Sequence, residues 1–115
     1  MKNFIFILLC FSASFAGITG KIRGKVYDSE TKEPLIGCNI IINQLSIGTA
    51  SGSSGNFIIL NVRPGNYTVT ASMIGYSEYV INDLEINSDL TTGVDFSMKI
   101  SAIEGSTVVV NANNN

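Results

Sequence analysis

The sequence predicts an all-β fold, a Greek-key β-sandwich of seven antiparallel strands, and three observations support this prediction. Along much of the 115-residue chain, apolar side chains alternate with polar ones, which is the period of a strand with one buried face. Thr, Val, Ile and Tyr dominate these stretches, and no window carries apolar residues at helical spacing. Short polar or glycine-rich turns separate the stretches, as is typical of sandwiches.

Residues 1–20 precede the first such stretch and are predicted to be a secretory signal peptide. Lys2 supplies a positive charge, Phe4–Phe11 is an unbroken apolar run, and Ser14 and Ala16 are small residues spaced as at a cleavage site. A membrane-spanning helix needs about 20 apolar residues, and polar or small residues interrupt this run after Phe11. We therefore expect cleavage near Ala16 and export of the remaining chain.

The predicted sandwich occupies residues 21–100. Its strands are expected at Lys21–Tyr27, Cys38–Asn43, Phe57–Leu60, Asn66–Met73, Tyr79–Ile81, Leu84–Ile86 and Val94–Ile100. The aromatic and aliphatic side chains within them recur at strand spacing, so Phe57, Tyr67, Val69 and Phe96 are predicted to lie in the core rather than in a ligand site. Cys38 opens an alternating strand on its apolar side, which favours a buried, inert thiol.

Turn residues punctuate these strands. Asp28–Pro34 is a polar stretch that ends in proline, and Ser51–Gly55 is a flexible glycine-rich turn. Pro64-Gly65 is predicted to close a hairpin. Gly48 and Gly55 are predicted to adopt a positive φ, which glycine accepts without strain.

Composition excludes several kinds of function. The chain has 7 basic and 9 acidic residues and no histidine, which removes His-based triads and imidazole zinc sites. The sequence contains no cluster of Lys and Arg residues of the kind that indicates nucleic-acid binding. We therefore expect no catalytic residue, no cofactor and no metal.

Two groups of carboxylates are the candidate exceptions to this expectation. Asp28, Glu30 and Glu33 lack the spacing of a calcium loop, so a solvated turn is favoured over a metal site. Asp83 and Glu85 share a strand face in an extended segment, but nothing near them in the sequence suggests a nucleophile or a third polar partner. An exposed strand edge is therefore favoured over a general acid/base pair.

A set of glycine, proline and aromatic positions carries a family resemblance. The motifs are Gly24-x-Val26-x-Asp28, Pro34-Leu35-x-Gly37, Gly55-x-Phe57, Pro64-Gly65-x-Tyr67 and Ile74-Gly75-Tyr76. Together they resemble the carboxypeptidase regulatory-like domain, in the version that stands at the N-terminus of TonB-dependent outer-membrane receptors. The resemblance implies a seven-stranded transthyretin-like, or prealbumin-like, sandwich.

The resemblance also implies a function. The domain would be a non-catalytic periplasmic module of a nutrient receptor on the periplasmic side of the bacterial outer membrane, acting in tethering and protein contact. Its partners would be a TonB-type energy transducer, the adjacent receptor plug or barrel and a companion lipoprotein, with no small-molecule substrate. The alternative is an accessory spacer or folding domain of a secreted peptidase or a surface adhesion protein. A carbohydrate-binding module is disfavoured because the chain has no Trp and only 4 Tyr.

Residues 101–115 form a tail in which Ile103–Val110 resembles the short segment that such receptors present to TonB. The candidate partner-binding residues are Glu104, Thr107, Val108, Val109 and Val110. An exposed run of β-forming residues can add as a strand to a partner's sheet edge. The sequence is equally consistent with Thr107–Val110 as the final strand of the sandwich itself, and both interpretations stay open here.

Overall fold

The computed structural model describes residues 18–101 and 106–112, and these form two β-sheets packed face to face. The strands of this part of the chain are β1 (Gly20–Asp28), β2 (Asn39–Ile42), β3 (Ile47–Ala50), β4 (Asn56–Val62), β5 (Gly65–Ser72), β6 (Glu78–Ile86), β7 (Thr91–Gly93), β8 (Phe96–Met98) and β9 (Thr107–Asn111). The all-β prediction is confirmed, but the expected number of strands was wrong, because nine are present. The predicted cleavage site at Ala16 lies outside the described residues.

The two sheets differ in size and are not purely antiparallel. The first has the order β4-β1-β7, with β8 pairing further along β1, and the second has the order β3-β2-β5-β6-β9. Strand β1 pairs in parallel with β7 and β8, and β6 pairs in parallel with β9. The expectation of an all-antiparallel sandwich was wrong at these three pairs. The chain crosses from one sheet to the other before β7 and again before β9.

Strands β7 and β8 are two halves of one broken strand beside β1. Between them, Val94 and Asp95 pass Gly24, and a Cβ built on Gly24 would lie only 1.6 Å from the Val94 carbonyl oxygen. The Val94 N–H donates to the Arg23 carbonyl at 2.9 Å. Because a side chain at position 24 would occupy the path of Val94 and Asp95, the glycine of the Gly24-x-Val26-x-Asp28 motif has a steric role.

The core lies between the sheets and is built from the inward residues of both. Its buried apolar members are Ile22, Val26, Cys38, Ile40, Ile42, Phe57, Ile59, Val62, Tyr67, Val69, Ala71, Ile81, Leu84, Ile86, Phe96 and Met98. All four residues predicted for the core, Phe57, Tyr67, Val69 and Phe96, are among them. The Phe96 ring meets the Phe57 ring at a centroid distance of 5.7 Å and the Tyr79 ring edge-on at 5.4 Å. Phe96 on β8 therefore contacts both sheets.

Two turn predictions were wrong. Pro64-Gly65 joins β4 to β5, which lie in different sheets, so this turn is a crossing between layers and not a hairpin. The Tyr67 hydroxyl donates to the Arg63 carbonyl at 2.6 Å and fixes the crossing. Gly48 is not among the residues with positive φ; a Cβ there would lie 2.3 Å from the Ile40 carbonyl oxygen, so it allows close approach of β3 to β2.

Other local expectations were partly right. Gly55 has the predicted positive φ, at 76°. The segments Tyr79–Ile81 and Leu84–Ile86 were predicted as two strands but belong to the single strand β6. They are separated by Asp83, whose φ of 60° accompanies a shift in the β5–β6 register. In the part of the chain that the structure describes, no helix is long and apolar enough to cross a bilayer.

Candidate interaction surface at the outer edge of β9

The tail segment singled out in the sequence lies at the edge of the second sheet. Thr107, Val108, Val109 and Val110 form most of β9, which pairs in parallel with Glu78–Asn82 of β6. The structure thus places these four candidate residues in the last strand of the sandwich. Glu104, the fifth candidate, lies outside the described residues.

One edge of β9 is used for pairing with β6 and the other faces outward. The Glu78 N–H donates to the Ser106 carbonyl at 3.0 Å, and the Ala112 N–H donates to the Asn82 carbonyl at 2.8 Å. The N–H and C=O groups of successive residues point to opposite sides of a strand. The N–H and C=O groups of Val108 and Val110 therefore point toward β6, and those of Val109 point outward. The Val109 side chain is 59% exposed. An edge of this kind is a template for an added strand.

Three serines hold the start of β9 in place. The Ser106 Oγ is 2.6 Å from the Ser77 Oγ and 2.6 Å from the Ser101 Oγ. Ser77 is buried, and its N–H donates to the Lys99 carbonyl at 2.7 Å. Activation of a serine nucleophile requires an adjacent base, whereas these hydroxyls contact one another, so the cluster fixes the strand. Sequence reasoning missed it because the three serines come from separate turns and strand ends.

A shallow groove of about 360 Å³ runs beside the start of β9. Met73, Ile74, Tyr76 and Glu78 are among the residues that line it. Ile74, at the tip of the turn before β6, is fully exposed. The groove therefore continues the surface of β9 toward one end of the sandwich.

Asp28 is a buried turn acceptor rather than a solvated carboxylate. Its Oδ1 accepts the N–H groups of Glu30 at 2.8 Å and Thr31 at 3.1 Å, and its Oδ2 accepts the Tyr76 hydroxyl at 2.8 Å. These hydrogen bonds lower the pKa of Asp28, with the largest effect from the Thr31 N–H, followed by the Tyr76 hydroxyl and the Glu30 N–H. The same hydrogen bond to Asp28 raises the pKa of Tyr76. The solvated-turn interpretation was therefore wrong for Asp28, while Glu30 and Glu33 are exposed. Asp28 links the end of β1 to the turn before β6.

The remaining carboxylates do not converge on a site. Asp83 and Glu85 are both exposed on the part of β6 beyond its pairing with β9. Within residues 18–101 and 106–112, no three His, Cys, Asp or Glu side chains are grouped so that they could hold a metal ion.

Cys38 lies within the core, as predicted. Its side chain is fully buried, and its Sγ is 3.5 Å from the Ser72 carbonyl oxygen. Burial raises the pKa of the thiol to about 11. Since the thiolate is the reactive form, this environment keeps the sulfur unreactive at neutral pH.

The pattern of glycines, turns and strands is shared with known proteins. Residues 22–110 match the sequence profile of the CarboxypepD_reg-like domain. The chain belongs to this family. The match extends through Val110, so most of β9 is included in the family's domain. The chain is a regulatory-like β-sandwich module, of a type that is typically non-catalytic.

Curated relatives of this module are much longer proteins. Carboxypeptidase D of Mus musculus is 34% identical over 92 residues, which cover 77% of this chain and 7% of the relative. Carboxypeptidase D of Rattus norvegicus is 32% identical over 92 residues, with the same coverage. The chain thus spans about 7% of the length of these relatives.

Solved structures with a similar fold come from several organisms. A type II cohesin–X-dockerin complex from Acetivibrio cellulolyticus gives a TM-score of 0.62 at 20% identity, covering 77% of this chain and 64% of the other. A putative carbohydrate binding protein from Bacteroides uniformis gives a TM-score of 0.55 at 18% identity, covering 71% of this chain and 42% of the other. The minor pilin GBS52 of Streptococcus agalactiae gives a TM-score of 0.53 at 18% identity, covering 76% of this chain and 47% of the other. At these identities the likeness establishes the β-sandwich fold alone.

Proposed function

We propose that this chain is the periplasmic N-terminal module of a TonB-dependent outer-membrane nutrient receptor, and that it acts by tethering and by strand pairing. The observation that carries the proposal is β9, a valine-rich strand at a sheet edge with Val109 turned outward. The motif resemblance and the family match over residues 22–110 support the choice of protein class.

In this function the sandwich is a rigid base for β9. Pairing with β6 and the contacts of Ser106 hold one edge of β9, while its outer edge accepts an extended segment of a partner. Main-chain hydrogen bonds supply the affinity of such strand addition, and side chains that alternate along the strand supply its selectivity. The partner is a TonB-type energy transducer, with the receptor's plug or barrel and a companion lipoprotein as neighbours.

The proposal is tested by replacing the outward donor of β9. Val109→Pro removes one N–H from the outer edge without touching those that face β6, and proline is tolerated at strand edges. The expected result is a loss of at least about tenfold in affinity for the periplasmic domain of a TonB-type protein, because a main-chain bond is lost and the ring obstructs the incoming strand. Biolayer interferometry measures this affinity.

Two further chains control the experiment. Val109→Thr keeps the N–H and the β-branched shape and is expected to bind like the wild type. A chain truncated after Ile100 lacks β9 and is expected to lose binding. If the truncated chain or Val109→Pro binds as tightly as the wild type, β9 has no part in the interaction.

The second candidate function is an accessory spacer or folding domain of a secreted peptidase or a surface adhesion protein. Its support is the similarity to carboxypeptidase D, of which this module corresponds to a small part. The coding sequence on both sides of these 115 residues separates the two candidates. A plug and barrel supports the receptor, whereas a peptidase domain with its own histidines or a sorting signal supports the accessory domain.

A further inference from the structure

The outer face of the first sheet carries three cations in one row. Lys21, Arg23 and Lys25 are exposed on β1. They alternate with inward residues such as Ile22 and Val26, so their side chains point away from the core, about 6.7 Å apart along the strand. Half of the six basic residues in the described part of the chain are therefore gathered on one strand face.

An aliphatic row runs beside these cations. On β4, Ile58 and Leu60 are 43% and 56% exposed, and Ile58 is paired directly with Arg23. Neighbouring strands lie about 4.8 Å apart, so the two rows form one surface. We call Lys21, Arg23, Lys25, Ile58 and Leu60 the cationic face.

The cationic face has an open hollow beside its positive charges. A shallow depression of about 490 Å³ is bordered by Arg23, Lys25, Asn56, Gly93 and Asp95, among others. No atom lies within 4 Å of where a Cβ on Gly93 would stand, so this part of the border is open. Asp95 is the carboxylate at the hollow, and its Oδ1 accepts the Lys25 N–H at 3.0 Å. Asp89 is a second carboxylate, because it lines a smaller hollow with Lys21 and Leu60. Three cations against these two carboxylates leave the surface with a small positive charge.

The positive surface contrasts with the rest of the molecule. The chain as a whole has a formal charge of −2, and Glu78, Asp83 and Glu85 lie together on β6 of the other sheet. The cationic face is complementary to an anionic partner.

We propose that the cationic face docks on the anionic headgroups of a lipid bilayer. The face is a broad layer of side chains on two strands that already pair with each other. The cationic face is made of side chains and not of the outer main-chain edge of β4, so a plane of headgroups can cover it. Neighbouring rows of cations and aliphatic side chains match the phosphate layer and the upper acyl layer of a membrane surface. This inference goes beyond the strand-pairing function, because β9 lies on the other sheet.

Vesicle co-sedimentation tests the proposal on a chain that begins at Ile18, which contains every strand and the whole core described above. One set of vesicles holds equal parts of phosphatidylglycerol and phosphatidylcholine, and the other holds phosphatidylcholine alone. The wild type is expected to bind the first set only and to be released by added NaCl, because salt screens the attraction. Replacing Lys21, Arg23 and Lys25 by Gln together is expected to weaken binding roughly 100-fold, at about fivefold per cation.

A matched variant separates the cationic face from net charge. Lys32 is left unchanged because it lines a hollow with Lys25. Arg63 and Lys99 lie elsewhere, and replacing both by Gln changes the net charge by the same amount as replacing Arg23 and Lys25 by Gln, a change that is expected to weaken binding roughly 25-fold. The double variant of Arg63 and Lys99 is expected to lose less than about fivefold, since its cations are away from the proposed contact. Thermal unfolding by circular dichroism confirms that each variant is folded before binding is compared.

Three results would overturn the proposal. The first is equal loss of binding in the two double variants, which would make net charge responsible. The second is wild-type binding that does not distinguish the two kinds of vesicle or does not respond to salt. The third is capture of polyglutamate without binding to vesicles, which would assign the face to an acidic polypeptide. None of these results bears on Val109 or on partner binding at β9, so the two proposals fail separately.

Discussion

Replacement of Gly24 by alanine is the most informative perturbation of the fold. The added Cβ would stand 1.6 Å from the Val94 carbonyl oxygen and 2.6 Å from its carbonyl carbon. Real Cβ contacts essentially never fall below 3.0 Å, so the oxygen must move by about 1.4 Å. The obstructing atoms are main-chain atoms, and a change of rotamer cannot relieve the contact.

The energetic cost follows from what that movement disturbs. The Val94 N–H donates to the Arg23 carbonyl at 2.9 Å, and the Lys25 N–H donates to the Asp95 Oδ1 at 3.0 Å. Overpacking costs about 1–3 kcal/mol, and each weakened hydrogen bond adds about 0.5–1.5 kcal/mol. We therefore expect Gly24→Ala to lower the free energy of unfolding by about 2–6 kcal/mol, which is at least about 8 °C in Tm for a domain of this size.

The neighbouring Gly93 provides the control. A Cβ there meets nothing within 4 Å, so Gly93→Ala is expected to leave the free energy of unfolding unchanged or to raise it by about 0.4–1 kcal/mol. Urea unfolding followed by circular dichroism measures both variants. Equal urea midpoints for Gly24→Ala and Gly93→Ala would show that Val94 and Asp95 do not pass across Gly24. They would also contradict the description of β7 and β8 as two halves of one broken strand.

The other predictions concern single side chains. Cys38 is expected to resist thiol reagents at pH 8 until the protein unfolds, and rapid labelling of the folded chain would contradict its burial. Because burial raises the pKa of the thiol to about 11, the unfolded chain loses the proton first, and the fold is expected to lose stability as the pH rises from 9 toward 11. The lowered pKa of Asp28 gives a stabilisation present above its ordinary pKa of 3.8 and lost as the pH falls through the folded value. Asp28→Asn should therefore reduce the fall of Tm at acid pH. Tyr76→Phe should raise the pKa of Asp28 in an NMR titration. If neither the Tm curve nor the titration changes, the hydrogen bond between Asp28 and Tyr76 is excluded. Phe96→Ala is expected to cost about 3–5 kcal/mol in urea unfolding, and a loss below about 1 kcal/mol would show that the ring does not join the two sheets.

The fold class followed from residues whose role is local. Side chains such as Val69 and Phe96 alternate with polar neighbours, and alternation alone tells which face of a strand is buried. Gly55 was predicted correctly because a tight turn requires its positive φ. Cys38 was also predicted correctly, since it shares the inward face with the aliphatic residues of β2.

Features that depend on distant parts of the chain escaped prediction. Strand β3 (Ile47–Ala50) is a short edge strand with little burial, and β7 (Thr91–Gly93) has three residues, so neither shows alternation. Gly48 serves the approach of another strand rather than a turn. The run Thr107–Val110 lacks alternation because it forms an edge with little burial. The sequence was therefore consistent with both a partner segment and the final strand, and the pairing with β6 shows that it forms the final strand.

The proposed role of β9 is tested most directly by amide hydrogen exchange, read residue by residue by NMR, with and without the periplasmic domain of a TonB-type protein. In the isolated chain, Val108 and Val110 should exchange slowly because their N–H groups face β6, while Val109 should exchange fast. Addition of the partner should slow Val109 and leave its two neighbours protected. Fast exchange of all three amides in the isolated chain, or no change at Val109 with the partner saturating, would contradict the account.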